Sequence, residues 1–311
     1  MPILIVGSVA FDSIRTPHGT VDRCLGGAAT HFALAASFFT QVRVIGVVGE
    51  DFTARHEEVF RVHGIDTRGI EHARGQSFHW TGEYRDNLNE AQTLRTDLNV
   101  FQSFQPKIPD AYRDSEYLFL ANIDPGLQLQ VRRQMPGVEM VCGDTMNYWI
   151  TGHREKLLET LREMDALLIN DGEAKLLAGE NNLVNAAKSI MRMGPKTLIV
   201  KHGEYGSTAF FGDASFPARV KNQFFRAPAL PLAEVVDPTG AGDSFAGGFF
   251  GYLASQPSLT PAVFKRAMFY GGVMGSFAVE RFGTERLQHV TREEIDERFS
   301  LFRELSHLDV E

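Results

Sequence analysis

Residues 235–250 read VVDPTGAGDSFAGGFF. Pro238 fixes its own φ and pushes Asp237 toward extended backbone. Gly240 and Gly242 let the chain turn tightly and come close to a ligand. From Asp243 onward the residues are small or apolar, and Gly247, Gly248 and Gly251 permit close packing of a helix. The first N–H groups of such a helix are unpaired and lie at the positive end of its dipole, so Gly240, Ala241 and Gly242 form a candidate anion hole. Asp243 then has two readings: a helix cap, for which Asp is favoured, or a base beside a bound anion. A carboxylate so close to a helix N-terminus is expected to have a lowered pKa.

Upstream, short apolar runs recur: ILIVGSV (3–9), VRVIGVVG (42–49), EYLFLA (116–121), EMVCG (139–143), ALLIN (166–170) and TLIVKHG (197–203). Helical spacing fits 31–39, 153–164 and 182–193 between them, and the last third is helical over 242–254, 260–280 and 291–304. Apolar strands alternating with helices predict a mostly parallel sheet covered on both faces, a three-layer α/β/α domain spanning 1–311. Ligands of such sheets sit beyond the carboxyl ends of the strands. Two stretches break the rhythm. Residues 12–24 resemble a hairpin, and 76–97 alternate with period two around turn residues. The expectation is a small antiparallel lid, drawn from 12–24 and 67–97.

The chain has 311 residues, 43% hydrophobic, with 31 basic against 39 acidic side chains and a formal charge of −8. That balance argues against nucleic acid as a partner, which needs a basic face. Cys24 and Cys142 make neither a metal spacing nor a disulfide framework, which points to a reducing, cytoplasmic setting. No apolar run reaches the roughly eighteen residues of a membrane span.

The string DPTGAGD resembles the C-terminal signature of the ribokinase family, the phosphofructokinase-B-type carbohydrate kinases. Other segments are similar to that family in the same order: GSVAFD (7–12), CLGGAATHFALAASFF (24–39), LLINDGEAKLL (167–177), VKHGEYG (200–206) and ERFGT (280–284). The resemblance implies a ribokinase-like fold and transfer of the γ-phosphoryl of Mg·ATP to a hydroxyl, with Asp243 as base. It implies that Asp12, Gly26, Gly27 and His31 face the acceptor, with Trp80, Asn122 and Asp144 as further substrate candidates. It places Asn170 and Glu173 on Mg²⁺ through water, and Lys201, Gly203 and Gly206 at the nucleotide phosphates. Asp237, Thr239 and Gly283 match positions where relatives bind a monovalent cation such as K⁺. Lid strands in the family often pair between subunits, so a homodimer is expected.

The chain also departs from the family. Ala10 and His31 stand where ribokinases carry acceptor-binding Asn, and Lys201 stands where Thr or Ser is frequent. A small carbohydrate is the expected acceptor, with a nucleoside as the alternative and a non-catalytic sensor on the same scaffold as a third reading. A dinucleotide-dependent enzyme lacks its G-x-G-x-x-G after the first strand. A P-loop enzyme lacks any Gly-Lys pair, and HEEVF (56–60) lacks the second His of a zinc hydrolase.

Overall fold

The computed structural model describes residues 1–212 and 224–306. Strands are numbered in chain order. Nine form one sheet: β1 (Ile3–Val6), β4 (Val42–Val48), β5 (Asp66–His72), β8 (Tyr117–Leu120), β9 (Met140–Gly143), β10 (Ala166–Asn170), β11 (Thr197–Lys201), β12 (Ser207–Phe211) and β13 (Phe224–Ala227). Their spatial order is β13-β12-β11-β10-β9-β8-β1-β4-β5. Pairing is parallel from β11 to β5, and β12 and β13 close one edge antiparallel.

Alternate residues of each central strand feed two separate cores, as a sheet buried on both faces requires. Ile3, Ile5, Leu168 and Ile199 point into one core, which holds Phe32, Phe249, Phe250, Phe264 and Phe302. This core is roofed by α1 (Ala28–Ser37), α2 (Ala54–Val62), α8 (Ala241–Ala254), α9 (Pro261–Ala278) and α10 (Arg292–Leu305). Leu4, Val6, Leu167, Ile169, Leu198 and Val200 point the other way. They pack under α3 (Pro125–Gln134), α4 (Asn147–Gly152), α5 (Arg154–Leu161), α6 (Asp171–Ala178) and α7 (Leu183–Met193). The result is the ribokinase-like three-layer arrangement. Among the described residues, no helix is long and apolar enough to cross a membrane.

The remaining four strands, β2 (Ala10–Thr16), β3 (Gly19–Gly26), β6 (Phe78–Tyr84) and β7 (Ala91–Asp97), form a small sheet in the order β3-β2-β6-β7. Each hairpin is antiparallel, and the two hairpins meet along a parallel β2–β6 pair. The expected lid bounds need one correction. Residues 67–72 belong to β5, which pairs with β4 at the edge of the large sheet. The run DTRGIEH is largely polar because an edge strand is only half covered.

Helix α8 is wedged between α1 and α9. A Cβ on Gly247 would collide with the Phe32 carbonyl of α1, and one on Gly248 would lie 2.6 Å from the Tyr270 carbonyl of α9. The obstacles are backbone, which cannot rotate aside. Gly247→Val is therefore expected to destabilise the protein by roughly 3 kcal/mol in urea denaturation, whereas Gly152→Ala, whose Cβ would enter open space, should stay within about 0.5 kcal/mol.

Candidate functional site

The corner read in 235–250 forms as expected, and it decides the first question about Asp243. The N-cap position of α8 belongs to Gly240, in the left-handed region at φ 74°, and no side chain caps the helix. Asp243 lies in the first turn, half-buried, and its carboxylate accepts no side-chain hydrogen bond among the described residues. The cap reading of Asp243 is therefore excluded. Its pKa also departs from expectation: it is raised, because burial outweighs the opposing effects of the Lys201 ammonium and its own amide.

Asp237, four residues before the helix, is fully buried. Its Oδ1 accepts from the Thr239 amide at 2.9 Å and its Oδ2 from the Gly283 amide at 2.8 Å. The carboxylate thus ties the corner to the loop after α9. Its pKa is raised by burial, against those two hydrogen bonds.

His31 packs its ring on this same corner. It stands in the first turn of α1, and any side chain at position 240 would overlap the imidazole. Burial lowers its pKa to about 4, so the ring is neutral near pH 7. Both ring nitrogens are buried with no partner among the described residues. Such groups are costly unless something completes them.

Asp12 on β2 is buried with its carboxylate resting on Gly26, where a Cβ would overlap Oδ2. Gly27 holds φ 92° with the Ser8 carbonyl too close for any side chain, and its amide bonds the Asp12 carboxylate. The Gly-Gly pair is thus the only sequence that seats this carboxylate against the start of α1. Burial, followed by the charges of Asp237 and Asp243, raises the Asp12 pKa to about 7, against the opposing Gly27 bond.

Asp12 is in register with Trp80 of β6. Residues 78, 80, 82 and 84 share the face of Asp12, and the last of them, Tyr84, accepts a hydrogen bond at its hydroxyl from Thr239 Oγ1 at 3.2 Å. This face of the small sheet therefore looks toward the α8 corner. The Trp80 indole lies over Gly82, so that a Cβ there would collide with the six-membered ring, and Nε1 donates to Thr93 Oγ1 at 3.1 Å. Tyr84 belongs with Phe78 and Trp80 to the alternating aromatic stripe of this strand. Its signal was the period-two spacing from Trp80.

On the other side of the corner, Lys201 ends β11 and carries its Nζ to within 2.6 Å of where a Gly242 Cβ would stand. The ammonium acts on Asp243, Asp144 and Glu173. Asp144, after β9, is buried with Oδ1 unpartnered, and burial and the Asp243 charge push its pKa well up. Asn170 and Glu173 form a reciprocal capping box: the Glu173 amide donates to Asn170 Oδ1 at 2.7 Å, and the Asn170 amide to Glu173 Oε2 at 2.8 Å. The N-x-x-E pattern thus starts α6, and it leaves Glu173 Oε1 outside the box. Gly203 and Gly206 both hold positive φ, 56° and 90°, in the turn after β11. Asn89, in the turn between β6 and β7, packs its amide onto Gly203. Asn122 is the outlier: its amide is taken up by Trp149 Nε1 at 2.9 Å and Met146 Sδ at 3.2 Å on the α4 side.

Residues 3–289, a span that includes the corner and the Gly-Gly seat, match a family model described as pfkB family carbohydrate kinase. The chain belongs to the pfkB family. It is accordingly a kinase that uses an alcohol as acceptor. Among pfkB relatives, a cytidine kinase of Thermococcus kodakarensis is 26% identical over 264 residues, covering 83% of this chain and 90% of that protein. A nucleoside kinase of Methanothermobacter thermautotrophicus is 23% identical, covering 91% of each. In structure, the Burkholderia thailandensis nucleoside kinase in complex with inosine superposes with a TM-score of 0.75 at 21% identity, covering 96% of this chain and 98% of that one.

The pfkB-type site also shows whether bound cations would suit it. Asp12, Asp144, Glu173, Asp237 and Asp243 all have raised pKa values, and Lys201 is the cation acting among the last-named group. Excess buried negative charge of this kind is relieved by bound cations. No cluster of three or more ligating side chains occurs among the described residues, so Mg²⁺ fits only as an ion that keeps most of its waters. The charge excess has a pH signature. Between the ordinary Asp value of 3.8 and about 7, folded Asp12 holds a proton that the unfolded chain has released. Stability of the native chain relative to Asp12→Asn should therefore fall as pH rises across that window and level off above it, measured by denaturant melts at fixed ionic strength.

Proposed function

We propose that the chain transfers the γ-phosphoryl of ATP to the hydroxymethyl oxygen of a nucleoside. The observation that carries this reading is the Trp80 indole laid over Gly82 on the site-facing side of the small sheet, in register with Asp12. A carboxylate suited to ribose hydroxyls and an aromatic face suited to a base then sit on adjacent strands. The cytidine and nucleoside kinases among its relatives support the same acceptor class.

On this reading Asp12, the Gly26–Gly27 backbone and the neutral His31 ring orient the sugar, and Asp243 takes the proton of the attacking hydroxyl. Burial raises the basicity of Asp243, and Lys201 keeps enough of it ionised to act. The amides of Gly240 and Gly242 face the charge that develops on the transferring phosphoryl, whereas the Ala241 amide, expected in the same anion hole, already donates to the Pro238 carbonyl at 3.2 Å. Glu173 and Asn170 act on Mg²⁺ through its water, and Gly203, Gly206 and Lys201 receive the phosphates. Mg²⁺ supplies charge neutralisation of the phosphoryl oxygens. The loop held by Asp237, Thr239 and Gly283 is the place for a monovalent cation. The small sheet excludes water as a lid, and its exposed β7 edge offers a surface for a homodimer.

A small carbohydrate is the second reading. It is favoured by the unpartnered His31 nitrogens and Asp144 Oδ1, which a polyol would satisfy. ADP release from Mg·ATP with ribose, fructose, other hexoses, inositol, adenosine, cytidine and guanosine separates the two. Turnover confined to free sugars would overturn the nucleoside assignment. Asp243→Asn should keep ATP binding and lower kcat by about 10²–10⁴-fold. Trp80→Ala should raise KM for the nucleoside by about tenfold or more, since stacking on one base contributes about 1–3 kcal/mol, with kcat at saturation little changed. An unaltered KM would remove Trp80 from the acceptor site.

A further inference from the structure

A pocket of about 420 Å³ lies between β13, α9 and α10, with Phe225, Phe269 and Phe299 among its walls and four cations around it: Arg226, Lys265, Arg266 and Arg303. The volume is that of a drug-sized ligand. The concentration of charge stands out in a chain whose formal charge is −8. Several arginines elsewhere are matched with carboxylates, as Arg23 is with Asp51, Arg286 with Glu280 and Glu294, and Arg298 with Glu280. Among the described residues none of the four pocket cations forms an ion pair. Arg226 reaches only the Tyr205 carbonyl, at 3.5 Å, and the Lys265 ammonium sits 5.1 Å above the Phe225 ring. Among the described residues no Asp or Glu lines the pocket.

Like charges gathered without counter-charge repel one another, and an anion relieves them. Guanidinium groups match the oxygens of a phosphate. The three phenylalanines have a separate implication. Phe269 and Phe225 are half-buried with ring centroids 6.2 Å apart, and Phe269 and Phe299 are 6.3 Å apart, so a partly exposed aromatic wall lies beside the cations. A ligand that uses both features is planar and aromatic at one end and phosphorylated at the other.

We propose that this pocket binds a nucleoside monophosphate, outside the transfer site built on Asp12, Asp243 and Lys201. The two sites share a wall. Gly206, in the turn after β11, packs against Ala227 and Pro228, and Pro228 and Arg226 also line the pocket. The assignment does not depend on which acceptor the kinase uses, so failure of the nucleoside turnover assay leaves it standing.

The test is calorimetric titration of AMP into the full chain held saturated with a non-hydrolysable ATP analogue, with adenosine and inorganic phosphate titrated separately. AMP is expected to show one site per chain that the charge reversal below weakens, with an affinity above that of phosphate. The charge-reversal pair Lys265→Glu and Arg303→Glu should weaken AMP binding by about tenfold or more while kcat and KM of the kinase reaction stay within about twofold. AMP affinity unchanged in that variant overturns the proposal. So does phosphate binding as tightly as AMP, which leaves the aromatic wall unused, or the charge reversal weakening adenosine as much as AMP, which leaves the phosphate unrecognised. Should the double reversal fail to fold, by its melting curve, Arg266→Gln gives the same reading from a single exposed side chain, with a smaller loss expected and an unchanged affinity again decisive.

Discussion

Everything at the site hangs on one fully buried carboxylate. Asp237 spends both oxygens on backbone amides, one from its own turn and one from Gly283 some forty-odd residues on. A buried acid that accepts two amides locks two loops that no secondary structure joins. With that lock in place, Gly240 adopts its left-handed conformation, α8 starts where it does, and the imidazole of His31 finds a flat surface without a side chain. Asp243, Lys201 and Asp144 converge because the corner is fixed first.

The electrostatics follow from that convergence. The site gathers acids in a poorly solvated place, where burial raises the proton affinity of each, and the charges of neighbouring carboxylates add to it at Asp12, Asp144 and Glu173. A helix N-terminus lowers a carboxylate's pKa by a modest amount, whereas burial acts more strongly in the opposite direction. That contest explains why Asp243 departs from the sequence expectation. Position along a helix can be read from a motif, but desolvation depends on α1, α9 and the small sheet closing around it.

Much of the architecture was legible in the residues. The six apolar runs are six of the seven parallel strands, because a strand covered on both faces has no room for polar side chains. The edge strands were harder. β5 reads as a polar segment, and β12 and β13 turn back antiparallel where a further parallel crossover was equally compatible with the pattern. Within the site, glycines were the most informative residues. Gly26, Gly27, Gly240 and Gly247 are each forced by a neighbour's atoms. Side-chain engagements were the least informative. That Asn122 is occupied by Trp149, or that Asn170 and Glu173 cap one another, depends on rotamers which no spacing encodes.

The hairpin of β6 and β7 reaches both the α8 corner and the turn after β11 from its own turn end. Tyr84, the last residue of β6, meets Thr239 of the corner, and Asn89, within the hairpin turn, rests on Gly203. Both contacts belong to a single stiff element, so they cannot be released independently. A swing that clears one clears the other. If the small sheet opens as the proposed lid, it does so as a single latch over both halves of the cleft, and whatever lies beneath enters and leaves on one clock.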